Sequence, residues 1–426
     1  MSIVGYLPYR AADHCAEAAW LSEYLDVEVR VADGLPALND WPDCQRPSLM
    51  AVRKAVRGFA ALPAVVAEGP AGFLWAAILR TAGFTGQVTV LPYLNPRRWY
   101  DVGATAVYQR FAHPRDRVYL GSPPSAALYR ACGVNACVGE PYGIDDMLFA
   151  PRRPASGTRQ AFGIPSGRLL LFAGRLQPDK DLHRLLRVGL KARLLFGDLQ
   201  IVVASHVVDP AYLTDLRERL SGEPGVHFIL DPAPEQLADL YNLADVFVTA
   251  ATSHFETFGR APAEALACGL PVVAPRYDGF TEVLAQPGGT LVDVDIDAST
   301  GTPVADEDKL LRAVYDVLSS PCPPCRADVA AQARSRFGRS RTIRLLDHLV
   351  AAEPAPPIAM SHTDLVPAAV ELPVAWREPL AAIARGTPIQ ALSWFLHDCD
   401  HDNLAAEDET FAARVRWALC QPATGT

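Results

Sequence analysis

The feature that most constrains this chain is an alternation, repeated almost from end to end, of short apolar runs and helix-length amphipathic segments. A strand buried on both faces of a parallel sheet is a continuous apolar run, and a covering helix follows it. The alternation therefore predicts α/β architecture, with parallel sheets covered by helices on both faces. The predicted strands are residues 2–7, 64–67, 87–91, 168–173, 200–204, 226–230, 246–249, 271–274 and 290–292, and the clearest helices are 15–25, 71–81, 211–220 and one starting near 182.

Two breaks divide this alternation. After the Pro-, Gly- and Ser-rich stretch Pro151–Gly167 it starts again, which predicts one α/β domain over residues 1–150 and another over 155–330. A crossover helix is expected at 331–352. The second break, Glu353–Ile358, has three prolines and excludes helix and strand. Helical patterns then return at 389–396 and 410–419, so residues 359–426 are predicted to form an acidic helical extension.

The charge of the chain argues against nucleic-acid binding. Its 426 residues include 39 Lys or Arg and 48 Asp or Glu, a net charge of −9, whereas a protein that neutralises phosphates along DNA or RNA is basic. The last 74 residues hold four basic and ten acidic side chains, so most of the charge belongs to the extension. Lysine occurs only at positions 54, 180, 191 and 309. A lysine inside a motif therefore stands out, and the Lys-poor, Pro-rich composition is typical of a high-GC, actinobacterial-type host.

The chain shows no pattern for export or membrane insertion. The opening residues, MSIVGYLPYR, lack a basic leader followed by a long apolar run, and no apolar run reaches the ~18 residues of a membrane span. Nine cysteines are scattered, and the one close pair, Cys322 and Cys325, has no second pair or His cluster to complete a zinc site. We therefore expect a cytoplasmic protein with reduced thiols.

The first motif follows the strand predicted at 168–173. It reads Gly174-Arg175-Leu176-Gln177-Pro178-Asp179-Lys180, with a helix predicted behind it. Open α/β sheets bind ligands at this carboxyl edge, and two cations beside the N–H groups of a helix start form an anion site. Taken alone, the motif is equally consistent with two solvated charges around a turn.

The second motif has two glutamates, Glu256 and Glu264, with seven residues between them. Phe258 and Gly259 are expected to open a helix, and Pro262 is tolerated in its first turn. Because one carboxylate accepts hydrogen bonds from two neighbouring hydroxyls, the pair suits a sugar at one end and a ribose at the other. For an isolated pair of glutamates, a solvated helix face is the commoner interpretation.

Taken together, these motifs make most of residues 1–350 resemble the retaining glycosyltransferases of family 4, and the resemblance is strongest from Leu169 to Glu282. That family has the GT-B fold, in which two Rossmann-like, doubly wound domains face each other across a cleft. The GRLxxxK pattern is present as Gly174-Arg175-Leu176…Lys180, and the E-x7-E pattern as Glu256…Glu264. The continuation EALACGLPVVA and the segment Tyr142–Asp145, which is similar to the end of the family's first domain, extend the resemblance.

The resemblance also implies roles for individual residues. Arg175 and Lys180 would bind the donor diphosphate and stabilise it as the leaving group, Glu264 would accept the ribose hydroxyls, and Glu256 would hold the transferred sugar. The implied donor-binding residues are Gly174, Arg175, Lys180, Glu256, Thr257, Phe258, Gly259 and Glu264. The implied catalytic set is Arg175, Lys180, Glu256 and His14.

The first domain departs from the family pattern. The loop after the first strand, Tyr9–His14, has no Gly-Gly pair, and Tyr93 or Asn95 stands where a His commonly follows the fourth strand. Asp181 also stands where a Gly often follows the Lys. The acceptor-side candidates are Asp13, His14, Glu68, Tyr93 and Asn95. A helix-capping role for Asp13 and a half-exposed position for His14 are equally good interpretations.

Two acidic patterns have the spacing of metal sites, but both fit a metal-free structure better. Asp293-Val-Asp295-Ile-Asp297 has Asp-x-Asp spacing, yet it follows a late strand away from the phosphate motif, which favours a solvated loop. Residues 398–403 with Glu409 match EF-hand positions, but Asn403 replaces the central Gly and no second hand follows. A capped, acidic first turn of the last helix fits that pattern better. We expect no required metal or other cofactor.

The sequence therefore predicts a retaining glycosyltransferase that uses a GDP- or UDP-type nucleoside diphosphate sugar. The expected acceptor is small and polar, such as a thiol, a cyclitol or an antibiotic intermediate. Two alternatives stay open: a sugar-nucleotide epimerase or phosphorylase on the same fold, and a non-catalytic nucleotide-sugar-binding partner protein, which the missing Gly-Gly pair and His would fit. No nucleic-acid partner is expected, and an oligomer is left open.

Overall fold

The computed structural model describes residues 3–7, 22, 28–31, 50, 53–54, 56–131, 133–139, 143–220, 223–339, 373–385, 387–388 and 407–420. The chain divides into two compact units. The first comprises Met1–Tyr142 together with Thr342–Thr426, and the second comprises Gly143–Arg341. The C-terminal segment therefore belongs to the same unit as the N-terminus.

The first unit is built on a six-stranded parallel sheet. Its strands are β1 (Ile3–Leu7), β2 (Glu28–Val31), β3 (Ala64–Glu68), β4 (Gln87–Leu91), β5 (Arg117–Leu120) and β6 (Ala136–Val138), in the order β2-β1-β3-β4-β5-β6. Among the described residues of this unit, helices follow three of the strands: α1 (Gly72–Thr81), α2 (Trp99–Gln109) and α3 (Pro123–Ala131). The predicted strands 2–7, 64–67 and 87–91 and the helix 71–81 are confirmed to within one residue at each end. Apart from Ser22, the helix predicted at 15–25 lies outside the described residues.

The second unit repeats the plan. Its parallel strands are β7 (Leu169–Ala173), β8 (Gln200–Ser205), β9 (Val226–Leu230), β10 (Val246–Val248), β11 (Val272–Pro275) and β12 (Gly289–Val292), in the order β12-β11-β10-β7-β8-β9. Its helices are α4 (Thr158–Ala161), α5 (Leu182–Phe196), α6 (Pro210–Arg219), α7 (Pro234–Leu243), α8 (Arg260–Ala267), α9 (Gly279–Val283), α10 (Glu307–Ser319) and α11 (Arg326–Phe337). A short antiparallel pair, β13 (Val294–Ile296) and β14 (Pro303–Ala305), follows β12.

Helix α5 illustrates how the apolar pattern builds this core. Leu182, Leu185, Leu186 and Ala192 recur at helical spacing and are buried against the sheet, which is the stripe an amphipathic helix needs to cover a sheet face. Gly197 follows the last residue of the helix. Its φ of 65° would be a strained conformation for most other residues. The strands beneath the helix are mostly apolar, and β7 and β8 are buried along their whole length, as expected for a parallel sheet covered on both faces.

Two further helices from the C-terminal segment pack on the first unit. They are α12 (Val374–Arg385) and α13 (Asp408–Ala418). Trp376 of α12 is fully buried, with its ring 6.0 Å from Trp99 of α2 and 4.6 Å from Phe411 of α13. The Asp408 carboxylate accepts a hydrogen bond of 2.8 Å from the Trp99 N–H, which stabilises the first turn of α2. The predicted helix 410–419 is confirmed, whereas the helix at 389–396, the proline linker 353–358 and the EF-hand-like residues 398–403 lie outside the described residues.

The chain enters the second unit at Gly143 and leaves it at Arg341, and the segments just inside these two points contact each other. The Ile144 N–H donates to the Phe337 carbonyl at 2.9 Å, and Arg339 lies 2.9 Å from the Asp145 carboxylate. No helix within the described ranges is long and apolar enough to cross a membrane.

Candidate nucleotide-sugar site

The site begins with the topology of the second sheet. From β7 the chain steps through β8 to β9 on one side, and then returns to place β10 on the other side of β7. The loops that leave the carboxyl ends of β7 and β10 therefore diverge, and such a switch point is where open α/β sheets bind ligands. The loop after β7 carries the GRLxxxK motif, and the loop after β10 carries Glu256. Topology thus places the two motifs side by side.

Lys180 and Glu256 form the central contact of this site. Lys180 ends a 3-10 turn, Pro178–Lys180, and Glu256 lies 76 positions further along the chain. The Lys180 ammonium forms a hydrogen-bonded ion pair with Glu256 Oε1. Their side chains are only 11% and 10% exposed, so loss of either partner would leave an uncompensated charge in a poorly solvated place.

Arg175 is held beside this pair by a carboxylate that the sequence did not indicate. Asp179 Oδ2 lies 2.8 Å from the Arg175 guanidinium, accepts a 2.8 Å hydrogen bond from the Ser253 hydroxyl and lies 3.9 Å from Lys180 Nζ. The guanidinium also lies 4.7 Å from the centre of the Phe255 ring, within cation–π range. Asp179 therefore joins the loop after β7 to the loop after β10. The only sequence signal for this role is its position four residues after Arg175.

The loop before α8 owes its shape to two glycines. Gly259, the residue before α8, has a φ of 95°, which favours glycine. Gly279 donates its N–H to the Glu256 carbonyl at 2.9 Å, and a Cβ there would lie 2.4–2.5 Å from the Phe258 backbone. Thr257 and Phe258 are buried. Gly279, at the start of α9, thus fixes the segment that positions Glu256.

Asp181 stands where the family pattern often has a Gly, and its conformation explains how an aspartate fits there. It has φ 46° and ψ 48°, the left-handed conformation that a Gly adopts readily. Asp tolerates this region better than most residues, and its carboxylate accepts hydrogen bonds from Arg184, including a 3.4 Å one from the N–H at the start of α5. The aspartate therefore adopts the glycine-like turn and also caps the helix.

Glu264 lies in the second turn of α8, as expected from the spacing. The hydroxyl of Tyr241, on α7, donates to Glu264 Oε2 at 3.0 Å. Burial raises the pKa of Glu264 to about 7, with a further contribution from Asp145, while Arg260 and the Tyr241 hydrogen bond oppose the shift. A carboxylate with this pKa changes charge near neutral pH. Sequence reasoning missed Tyr241, which lies on a different helix.

The structure describes three of the five acceptor-side candidates. Glu68 ends β3, and the Tyr93 hydroxyl donates to its Oε1 at 2.8 Å. Tyr93 has a φ of 60°, a conformation that costs a non-glycine residue about 1–2 kcal/mol. Asn95, two residues on, is fully buried. Asp13 and His14 lie outside the described residues, so the proposed roles of both stay predictions.

The Asp-x-Asp segment lies away from the two motifs. Asp293 forms a 2.8 Å ion pair with Arg276, and Asp295 lies 3.3 Å from Lys309. Asp297 accepts hydrogen bonds from Ser299 and Thr300, which lower its pKa to about 2. Within the described ranges no group of three or more His, Cys, Asp or Glu side chains is placed to hold a metal ion.

A separate cavity lies at the opposite edge of the same sheet. Its volume is about 1110 Å³, and it is lined by residues at the amino ends of three strands, including Asp245, Pro271 and Gly289, together with Lys309 and Arg312 of α10. Both motifs lie at the carboxyl edge, so this cavity has no part in the candidate site.

Comparison with known proteins separates the second unit from the rest of the chain. Residues 158–335 match the family model described as "Glycosyl transferases group 1". In sequence, residues 158–335 are therefore similar to the group 1 glycosyl transferases. The matched residues hold the GRLxxxK motif and both glutamates, and the match excludes the first unit, where most of the departures from the family pattern lie.

Curated relatives match over a similar length. A D-inositol 3-phosphate glycosyltransferase from Thermobispora bispora is 35% identical over 178 residues, which are 39% of this chain and 40% of that protein. An enzyme of the same name from Corynebacterium urealyticum is 36% identical over 162 residues, 35% of this chain and 38% of that protein. The chain thus spans about two fifths of the length of the curated relatives it matches.

Solved structures extend the likeness to both units. Sucrose-phosphate synthase from Thermosynechococcus elongatus superposes with a TM-score of 0.65 at 18% identity, over 83% of this chain and all of that one. HepE from Anabaena in complex with UDP-glucose gives 0.63 at 17% identity, also over 83% of this chain and all of that one. At these identities the likeness shows the fold. The predicted GT-B class, with two parallel Rossmann-like sheets, is confirmed.

Proposed function

We propose that this protein is a retaining glycosyltransferase that takes a sugar from a nucleoside diphosphate donor. The observation that carries the proposal is the meeting of Lys180, Arg175 and Glu256 at the switch point of a sheet whose sequence is similar to the group 1 glycosyl transferases. A UDP-sugar is the first donor to test, because HepE, which shares the fold, was solved with UDP-glucose. The small polar acceptor would bind to the first unit.

In the proposed reaction, the bond between the anomeric carbon and the diphosphate oxygen breaks, and a bond forms between that carbon and an oxygen of the acceptor. The acceptor hydroxyl proton leaves with the diphosphate, so atoms and charge balance. Arg175 and Lys180 stabilise the negative charge that develops on the departing diphosphate, which lowers the transition state more than the ground state.

Substrate binding changes the partners of two groups in this mechanism. Lys180 and Arg175 are paired with Glu256 and Asp179, so a bound diphosphate shares these cations with the two carboxylates. Glu256 then holds sugar hydroxyls and Glu264 holds ribose hydroxyls, each as a two-oxygen acceptor. We propose that these cations meet the charge requirement without a metal ion, since Asp293 and Asp295 are already engaged by Arg276 and Lys309.

Product analysis tests this function. The protein is incubated with UDP-glucose, with and without the polyol myo-inositol, and UDP and sugar products are separated and quantified. UDP release that requires the acceptor and persists in a chelator supports transfer without a metal ion. An epimerised UDP-sugar indicates an epimerase, and a sugar phosphate formed with added inorganic phosphate indicates a phosphorylase. Binding of UDP-glucose without any product would indicate a non-catalytic partner protein.

A further inference from the structure

The charged side chains at the centre of the candidate nucleotide-sugar site neutralise one another. Arg175 and Lys180 are the cations, and Asp179 and Glu256 are the anions. Lys180 forms an ion pair with Glu256, and the Arg175 guanidinium lies 2.8 Å from Asp179 Oδ2. The same oxygen of Asp179 is 3.9 Å from Lys180 Nζ, so this carboxylate lies close to both cations. An arriving diphosphate therefore meets cations that already have a counter-ion.

Asp179 is also held in place by a group that carries no charge. The Ser253 hydroxyl donates to Asp179 Oδ2 at 2.8 Å, and the Phe255 N–H donates to that hydroxyl at 3.2 Å. Ser253 is only 5% exposed, and its carbonyl accepts from the Glu256 N–H at 3.1 Å. Because these hydrogen bonds do not involve the two cations, they keep the Asp179 carboxylate in place when a ligand attracts the cations.

The orientation of Arg175 does not by itself require a charged partner. Gln177 Oε1 also accepts a hydrogen bond from the guanidinium, and the Phe255 ring centre lies 4.7 Å from the guanidinium carbon. These two neutral groups hold an edge and a face of the guanidinium. The Asp179 carboxylate adds a fixed negative charge, and such a charge beside two cations weakens their attraction for any anion.

The size of this effect depends on the charge of the ligand. In a nucleoside diphosphate sugar, both phosphates are esterified and each carries one negative charge. In the free nucleoside diphosphate, the terminal phosphate has a second ionisation with a pKa of about 6, so at pH 8 it carries about one more negative charge. Repulsion by Asp179 is proportional to the charge of the ligand. It therefore weakens the binding of the product more than the binding of the donor.

We propose that Asp179, anchored by Ser253, is a built-in counter-ion of the diphosphate site that selects the nucleoside diphosphate sugar over the nucleoside diphosphate product and so promotes product release. This inference rests on the proposed function, because it concerns the product of the same reaction. Asp179 acts through the two cations and needs no contact with the ligand.

The test compares the affinities of the full chain for UDP and for UDP-glucose, measured by calorimetric titration at pH 8 and constant ionic strength. Asp179→Asn keeps an oxygen that accepts from Ser253 and removes the charge. Its Kd for UDP should fall about tenfold, and its Kd for UDP-glucose about threefold. Asp198→Asn is the matched control, because it removes the same charge from a residue that pairs with Arg168 at the amino edge of the sheet. Both of its Kd values should stay within twofold of the wild type.

A second variant tests the anchor. Ser253→Ala keeps the Asp179 charge and removes the hydroxyl that fixes it. The Kd for UDP-glucose divided by the Kd for UDP should therefore lie between the ratios of the wild type and of Asp179→Asn. If thermal melting shows that Asp179→Asn does not fold, the ratio in Ser253→Ala decides, and it should exceed that of the wild type.

Three results would overturn the inference. The first is UDP binding in Asp179→Asn that is unchanged or weaker, as expected if Asp179 only orients Arg175. The second is an equal change in the two Kd values, and the third is a Ser253→Ala ratio equal to that of the wild type. If the wild type binds both ligands and one of these results is found, the inference fails while the donor site stands. If the wild type binds neither ligand, the donor assignment and the inference fail together.

Discussion

In both sheets the strand order switches sides beside the first strand, but different forces fix the loops at the carboxyl edges of the two sheets. In the second unit, charges join them: Lys180 pairs with Glu256, and Asp179 connects Arg175 to Ser253. In the first unit, the loop after β4 is held by a phenol–carboxylate hydrogen bond at Tyr93 and by Asp101. The contacts in the second unit involve motif residues at a recognisable spacing. The contacts in the first unit involve side chains that no motif connects in the sequence.

This contrast agrees with where the family model matches. Residues 158–335 match it, and the first unit lies outside the match. Under the proposed function, a diphosphate requires the same cations whatever sugar it carries, so the loops proposed to bind it would be constrained. The acceptor would differ from enzyme to enzyme, and the loops proposed to contact it would be freer to change. Variants that weaken one set of contacts at a time test whether this division between the units holds.

The largest effect is expected from the charged pair. Lys180→Ala should lower kcat by about 10²–10³, the usual effect of removing one group that stabilises developing charge. Glu256→Ala should also lower kcat, because it removes the proposed sugar contact and the carboxylate that pairs with Lys180. The measurement is initial-rate UDP release. Lys191→Ala is the matched control, because Lys191 is 45% exposed and pairs with Glu307 outside the site; its kcat should stay within twofold. Wild-type turnover in both site variants would remove Lys180 and Glu256 from the reaction.

A smaller effect, dependent on pH, is expected at Glu264. Its pKa is raised to about 7 by burial, so the fraction ionised grows as the pH rises from 6 to 8. Because an ionised carboxylate makes stronger hydrogen bonds to ribose hydroxyls than a neutral one, the affinity for UDP-glucose should increase several-fold over this interval. The donor itself does not titrate there. Calorimetric titration at several pH values measures the change.

The control at this position is Glu264→Gln, which is neutral at every pH and should flatten the profile. At high pH, Glu264→Gln should bind the donor more weakly than the wild type but should be more stable. A carboxyl with a raised pKa in the folded state loses stabilisation as the pH rises through that pKa, so Glu264→Gln should gain thermal stability relative to the wild type above pH 7. Identical pH profiles for the wild type and Glu264→Gln would assign the titration to another group.

These expectations show how far the sequence leads. The apolar runs predicted β7 to β12 closely, because strands buried on both faces must be apolar. The residue types and spacing of Arg175, Lys180 and Glu256 indicated a common site. Asp179, Tyr241 and Gly279 were not foreseen as site residues. Their roles depend on contacts between loops and helices distant in sequence, which periodicity and spacing do not encode. The loop containing Asp13 and His14 lies outside the described residues, so both assignments stay predictions.

In the first unit, the C-terminal segment offers a stability test. Burial raises the pKa of Asp408 to about 6, with help from Asp101 and against the Trp99 hydrogen bond. The stability contributed by the protonated carboxyl is therefore present below pH 4 and is lost as the pH rises through 6. Asp408→Asn keeps an oxygen for the Trp99 N–H and removes the charge. Its melting temperature should exceed that of the wild type at pH 7–8, and the difference should shrink towards pH 4.

The matched control for this test is Glu409→Gln, which removes an exposed acid from the same helix turn. It should shift the melting temperature little at either pH. If Asp408→Asn melted below the wild type at pH 8, the ionised Asp408 would be stabilising α2, and the expected cost of burying its charge would be wrong.

The smallest effect concerns Asp181, which stands where a Gly often follows the Lys in the family pattern. Asp181→Ala keeps the left-handed backbone and loses the cap of α5, so it should cost about 1–2 kcal/mol in unfolding free energy. Asp181→Gly loses the cap but also removes the backbone penalty, and should lie within about 0.5 kcal/mol of the wild type. Denaturant unfolding of both variants measures the difference, and UDP-glucose binding reports on Lys180 next door. Equal losses in the two variants would mean that the carboxylate alone, and not the backbone conformation, determines which residues fit this turn.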